Sequence, residues 1–120
     1  MQDNSDNRLV LERILQNIEN IQTLMQTTTK ESFLSELKDF NAICLEFIQI
    51  GEKVNQLDPD FCDSHPDVPW HELYGLRNRI VHGYEKVKKE IIWATITDDL
   101  PQIQESIKEI LQKNFLHIFH

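Results

Sequence analysis

The segment from residue 77 to residue 84, Arg-Asn-Arg-Ile-Val-His-Gly-Tyr, is the densest run of chemically capable side chains in the sequence. An arginine guanidinium is a planar, permanently charged fork that fits phosphate oxygens. A histidine exchanges a proton near neutral pH. These residue types favour chemistry on a phosphate. On spacing alone, however, a structural role is the stronger interpretation, because an arginine and a histidine near a helix end commonly cap carbonyls or pair with acids.

Helix geometry limits which of these side chains can act together. At about 100° per residue, Asn78 and His82 lie nearly on one face of a helix, whereas Arg77 and His82 are about 140° apart. A cleft between two symmetry-related copies of the helix would bring Arg77 and His82 together more easily than one helix. We therefore expect any active site here to lie at the interface of a symmetric homodimer.

The charge around this segment differs from that of the rest of the chain. Residues 77–89 carry five cations against Glu85 alone, a local charge of +4, although the whole chain has a net charge of −8 and the remainder therefore carries −12. The overall charge disfavours indiscriminate nucleic-acid binding. The basic segment fits a local anion site, docking to an oppositely charged partner, or a solvated face without a ligand.

Apolar periodicity predicts that helices position this segment. Long amphipathic helices are expected over about 7–27, 32–56, 70–82 and from about 88 onward, with a short helix over 59–64. Such a pattern with short connections is typical of an all-α, up-down bundle of four or five helices. We expect residues 1–120 to form one domain with a short polar tail at 1–6 and a C-terminal tail at 113–120, which packs on the bundle or on a second subunit.

Particular residues are expected to begin the first two helices and to set their packing. Ser5 or Asp6 would cap the first helix, and Ser32 would cap the second. The second helix carries a 4-3-4-3 apolar seam from Phe33 through Leu37 to Val54. Gly51 lies on that seam, which predicts the close approach of another helix.

The later helices are punctuated by proline and glycine. Residues 65–70 are expected to be extended, with Trp70 anchoring this loop to the core. Gly83 would end the next helix in a left-handed conformation. Pro101 predicts either a kink or a second helix capped by Asp98 or Asp99.

Other classes of protein and site are disfavoured. No apolar run is long enough for a membrane span, and the N-terminus lacks the pattern of a secretory signal. We therefore expect a cytoplasmic protein in which Cys44 and Cys62 are free thiols. The spacing of Cys62, His65 and His71 fits no standard metal site, so we expect no metal and no cofactor.

The motif and its flanks resemble those of a known family. Arg77, four residues, His82, one residue and Tyr84 reproduce the Arg-x-x-x-x-His-x-Tyr pattern of HEPN ribonucleases, and Asn78 after the arginine also matches. Three flanking stretches, Ile-Gly-Glu at 50–52, His-Pro-x-x-Pro-Trp at 65–70 and Ile-Trp followed by Asp-Leu-Pro between 92 and 101, occur in the right order and spacing. Over about residues 33–112 the chain thus resembles the HepT-like toxins of the HEPN superfamily.

The resemblance implies a function for the motif. HepT toxins dimerise as helical bundles and cleave RNA without a metal. By this resemblance His82 would be the general base or acid on the ribose 2′-hydroxyl or the leaving oxygen. Arg77 would bind the scissile phosphate, and Asn78 would orient the histidine or the phosphate. Tyr84 would position the RNA.

The resemblance also implies a partner. HepT toxins are paired with a small nucleotidyltransferase antitoxin, MntA, which transfers AMP from ATP to the motif tyrosine, here Tyr84. The remaining cations are expected to give auxiliary contacts to phosphate or to this partner. They are Arg79, Lys86, Lys88 and Lys89.

Glu52 is a candidate supporting residue. A carboxylate near the end of the second helix would reach Arg77 or Arg79 and hold it in place. A solvated acid at a helix end is an equally good interpretation.

Two functions from different classes remain open. The first is a metal-independent ribonuclease toxin of a toxin–antitoxin pair, favoured by the intact motif. The second is a non-catalytic module that docks a nucleotidyltransferase and serves as its substrate, favoured by the overall acidity. A structural bundle without chemistry is a third, weaker interpretation.

Overall fold

The computed structural model describes residues 4–115, which form helices joined by short turns. The helices are α1 (Asn4–Met25), α2 (Lys30–Ser35), α3 (Leu37–Val54), α4 (Pro59–Asp63), α5 (Trp70–Gly83), α6 (Lys89–Ala94) and α7 (Leu100–Phe115). A 3₁₀ turn (Tyr84–Lys86) follows α5, and a π-helical turn (Thr95–Asp99) joins α6 to α7. No strand occurs within 4–115, which confirms the predicted all-α class.

The central helix is α3, which packs against α1 on one side and α5 on the other, while α7 packs on α1. Its buried side chains include Phe40, Ile43, Phe47 and Ile50. Since α3 is covered on both sides by neighbouring helices, it sets the position of α5 and of the motif that α5 carries.

The close approach predicted at Gly51 is confirmed. A β-carbon built at Gly51 would overlap the Cβ and crowd the Cγ of Arg77, and it would lie 3.3 Å from the carbonyl oxygen of Leu73. Glycine therefore allows α5 to lie directly against α3 at the first residue of the motif.

The predicted single helix over 32–56 is wrong at its start. The chain becomes extended at Glu36 (φ −117°, ψ 146°), which separates α2 from α3. Thr29, not Ser32, caps α2, and the two side chains form a reciprocal capping box. Leu37 was predicted to lie on the buried seam, but it is 59% exposed.

Three further local predictions are wrong. The first helix begins at Asn4, so Ser5 and Asp6 lie inside α1 and not at the position before it. Gly83 has φ −150°, and no described glycine adopts positive φ. Residues 66–68 form turns instead of an extended segment.

Pro101 was predicted to cause either a kink or the start of a second helix, and the structure has a π-helical turn just before it. The amide of Leu100 donates to the carbonyl of Thr95, five residues earlier, so the chain passes from α6 into α7 without a new cap at Asp98 or Asp99. Such a turn is a common way for a helix to accommodate a local irregularity.

The connector before α5 is anchored as predicted. Trp70 is 7% exposed, and its Nε1 donates to the carbonyl oxygen of His65 at 3.0 Å. Asp58 caps α4 by accepting from the amide of Asp60 at 3.1 Å.

No helix within 4–115 is long and apolar enough to cross a membrane. Residues 116–120 of the predicted C-terminal tail lie outside the described residues.

Candidate active site

The motif residues on α5 occupy two sides of the helix, as the helical geometry predicts. Asn78 and His82 face an open groove of about 610 Å³ between the end of α5 and the start of α6. Arg77 does not line this groove. Its Cβ lies against α3 at Gly51.

The groove has a cationic rim and an aliphatic floor. The exposed cations Arg79, Lys86 and Lys88 line it together with Asn78 and His82. No acidic residue is among the described residues of its lining. The groove can therefore hold an anion beside an exposed imidazole.

The guanidinium of Arg77 contacts side chains on both α5 and α3. Nη1 donates to Oδ1 of Asn78 at 2.9 Å, and Nη2 lies 3.6 Å from Oε1 of Glu52. Nε is buried without a hydrogen-bond partner among the described residues. The Arg77 side chain as a whole is 23% exposed.

Glu52 contacts Arg77 and not Arg79 in this structure. Its side chain is 52% exposed, and solvent-exposed ion pairs stabilise a fold by only about 0–1 kcal/mol. The contact therefore contributes little to the stability of the fold.

Tyr84 is held at the α3–α5 edge. Its hydroxyl donates to Oδ1 of Asn41, and its ring lies 5.9 Å from that of Phe40. The residue is still 39% exposed. The phenol is thus positioned by α3 and accessible to a partner.

Asn41 was missed by sequence reasoning, although a signal was present. Asn41 and Glu52 are eleven residues apart, about three turns, and therefore share one face of α3. Arg77 and Tyr84 are about two turns apart on α5 and the turn after it. Once α3 and α5 are taken as antiparallel neighbours, a polar residue on the Glu52 face of α3 is the natural partner of Tyr84.

Lys89 is engaged away from the groove. Its Nζ donates to the carbonyl oxygens of Leu34 (3.2 Å) and Glu36 (3.5 Å) at the end of α2. It also lies 5.4 Å from the ring centroid of Phe40. Of the four cations predicted as auxiliary contacts, Lys89 is therefore the one whose side chain is held by other residues within the described part of the chain.

The remaining candidate residues are the two cysteines and the histidines outside the motif. Within 4–115 no group of three or more His, Cys, Asp or Glu residues could hold a metal ion. Burial raises the pKa of the Cys44 thiol to about 11. Burial and the nearby Asp63 and Asp58 raise the pKa of Cys62 to about 11. Burial lowers the pKa of His65, partly offset by Asp67.

Comparison with known proteins places this arrangement in a family. The family model "Ribonuclease HepT-like" matches residues 14–110, which include the whole motif, Glu52 and Asn41. This chain belongs to the HepT-like ribonuclease family.

Curated relatives align with this HepT-like chain over most of their length. A "Putative RNase" of Caldanaerobacter subterraneus subsp. tengcongensis is 36% identical over 106 residues, which is 88% of this chain and 95% of the relative. A "Putative RNase" of Methanocaldococcus jannaschii is 33% identical over 107 residues, covering 89% and 88% of the two chains. A "Probable ribonuclease HepT" of Thermococcus cleftensis is 29% identical over 100 residues, covering 83% and 91%. No solved structure gives a significant match.

Proposed function

We propose that this HepT-like protein is a metal-independent ribonuclease toxin whose site is the groove at the end of α5. The observation that carries the proposal is that His82 and Asn78 face an open groove lined by three cations and no acid. Family membership supplies the substrate class, since the matching model describes ribonucleases.

The residues suit cleavage through the ribose 2′-hydroxyl. His82 takes the proton of this hydroxyl as general base, and the 2′-oxygen attacks the adjacent phosphorus. The bond from phosphorus to the 5′-oxygen breaks, and that oxygen takes up a proton from the protonated imidazole or from water. The products are a 2′,3′-cyclic phosphate and a 5′-hydroxyl.

Arg77 stabilises the negative charge that develops on the phosphoryl oxygens. Its bond to Asn78 Oδ1 and its contact with Glu52 orient the guanidinium before substrate binds. Asn78 connects the two sides of the site, because it contacts Arg77 and also lines the groove of His82.

A homodimer completes the site in this proposal. Arg77 lies on the α3 side of α5, whereas His82 lies on the groove side. In a symmetric pair, the Arg77 of one copy and the His82 of the other would face one scissile phosphate.

Tyr84 is the proposed point of control by a nucleotidyltransferase antitoxin of the MntA type. Its phenolic oxygen attacks the α-phosphorus of ATP, its proton leaves, and pyrophosphate is released. The attached AMP adds negative charge and bulk near the cationic groove. It thereby excludes RNA.

A non-catalytic docking module is the second candidate. The net charge of −8 favours it, because free RNA is repelled away from the basic segment. In that case the same groove and Tyr84 would bind only the nucleotidyltransferase.

Controlled expression in a bacterial host separates the two candidates. The wild type and the control His71→Ala, an exposed histidine at the start of the same helix, should arrest growth. His82→Ala should not, and RNA from the arrested cells should carry new 2′,3′-cyclic phosphate ends. Growth arrest by His82→Ala at equal protein level would refute the toxin proposal.

A further inference from the structure

The groove contains an aliphatic surface that the proposed acid–base chemistry does not use. Leu76, Val87 and Ile91 form this floor beside the cations. Ile91 is 51% exposed, whereas its neighbour Ile92 is fully buried in the core. An exposed isoleucine within a cationic groove therefore points to a ligand that has both charge and an apolar face.

The charge pattern restricts where a polyanion can lie. A second groove, which adjoins the first along α5, is lined by four acids, and among the described residues it shares Leu76 and Arg79 with the cationic groove. Those acids are Asp67, Glu72, Asp98 and Asp99. A chain of phosphates is attracted to one groove and repelled by its neighbour, so Arg79 marks the boundary between them.

We propose that the cationic groove is a subsite for one unstacked base of single-stranded RNA. The flat face of the base lies on Ile91 and Val87, and the phosphates on either side of it contact Arg79, Lys86 and Lys88. This inference rests on the proposed function, since it assigns a binding position next to His82 to the RNA that is cleaved.

The apolar floor favours a single strand over a duplex. In a duplex the base faces stack on one another, and only sugars, phosphates and base edges meet the protein. In a single strand the base faces are free, and their burial against side chains contributes to affinity for every base. We therefore expect weak sequence preference at this subsite.

The test is equilibrium binding of a short RNA that is 2′-O-methylated throughout, measured by fluorescence anisotropy. Such an RNA lacks the hydroxyl that the proposed reaction needs, so the wild-type protein can be used without cutting. Ile91→Ser should weaken binding about fivefold, the lower end of the effect of removing an aromatic side chain on which a base stacks, because isoleucine offers apolar area without an aromatic face. Isoleucine and serine have similar helix propensities, so α6 should be retained.

Leu45→Ser is the matched control. Leu45 is 53% exposed on α3 and does not line the groove. This variant should bind the RNA like the wild type. If both variants weaken binding equally, or if neither does, the subsite proposal is overturned.

Two further readouts separate the base from the phosphates. Lys88→Gln should reduce the slope of log K against log salt by about 0.7, the value for one phosphate contact on a single strand. Ile91→Ser should leave that slope unchanged. An oligonucleotide of the same length without bases should bind wild type and Ile91→Ser equally.

Cleavage of unmodified RNA distinguishes failure of this inference from failure of the proposed function. If the wild type cuts RNA and Ile91→Ser binds as tightly as wild type, the function stands and the subsite does not. An acidic peptide that displaces the RNA gives a further comparison. If Lys88→Gln weakens the binding of both peptide and RNA, while Ile91→Ser weakens the binding of neither, the groove binds anions without recognising a base and the proposal is wrong.

Discussion

At the scale of single residues, the link between Tyr84 and Asn41 joins the proposed modification site to the central helix. The hydroxyl donates to Asn41 Oδ1, so a group attached to this oxygen removes the hydrogen and breaks the bond. Modification of Tyr84 would therefore remove a contact with α3 in addition to changing the charge near the groove.

Asn41→Ala and Tyr84→Phe should each lower the free energy of unfolding by about 0.5–1.5 kcal/mol, the usual range for one hydrogen bond. The double variant should lose little more than either single one, because both remove the same bond. Urea unfolding measures all three. Tyr74→Phe is the control, since the Tyr74 hydroxyl makes no hydrogen bond within residues 4–115. Additive losses in the double variant would show that the two residues act independently.

Cys62 should react slowly despite its partial exposure. Its pKa is raised to about 11 by burial and by Asp63 and Asp58. The thiolate is the reactive form, so at pH 7.5 its fraction is about a hundredfold below that of a thiol with an ordinary pKa near 9.

The test is the rate of alkylation by iodoacetamide in a Cys44→Ala background. Each pH unit from 7.5 to 9.5 should raise the rate about tenfold without a plateau, because the pH stays below the pKa. A plateau near pH 9 would contradict the raised pKa of Cys62.

At the scale of helices, the α3–α5 contact at Gly51 is the feature that positions Arg77. Replacing an exposed helical glycine by alanine usually stabilises a helix by about 1 kcal/mol. At Gly51 the added methyl meets the Cβ of Arg77, which moves only if α5 moves.

Gly51→Ala should therefore destabilise the fold by about 1–3 kcal/mol, as overpacking does. Gly75→Ala is the matched control on α5, because a β-carbon there meets nothing within 4 Å. That control should stabilise by about 0.5–1 kcal/mol. Thermal unfolding of both variants tests the pair. A stabilised Gly51→Ala would mean that α3 and α5 lie farther apart than the structure has them.

The sequence predicted helices better than their ends. The apolar spacing of α1, α3 and α5 was sufficient, because each buries one face in the core. The break at Glu36 could not be predicted, because Phe33, Leu37 and Phe40 keep a helical spacing across it. The π-helical turn was also missed, because it depends on how α6 and α7 both pack against the bundle.

At the scale of the whole molecule, the sequence predicted that Asn78 and His82 share a face and that Glu52 reaches Arg77 or Arg79, but it did not predict the partners of Tyr84 and Lys89. The angle between positions 78 and 82 was enough to predict that Asn78 and His82 face the same groove. The engagement of Lys89 with α2, and of Tyr84 with Asn41, depends on contacts between distant segments. Charge counting alone could not separate Lys89 from Lys86 and Lys88.

The proposed dimer makes a prediction about mixed chains. Arg77→Ala and His82→Ala should each abolish cleavage alone. Refolding them together should restore about a quarter of the wild-type rate, because half of the dimers are mixed and each has one intact composite site of two. Mixed dimers without activity would show that Arg77 and His82 of one chain act together.

Cleavage of a defined single-stranded RNA by the purified protein in excess chelator tests the central claim most directly. The protein should first be confirmed as dimeric and free of AMP. The account predicts that the wild type and His71→Ala cut the RNA to 2′,3′-cyclic phosphate ends at similar rates, and that His82→Ala does not. Failure of the wild type to cut any of a broad panel of RNAs, or equal cutting by His82→Ala, would contradict the account.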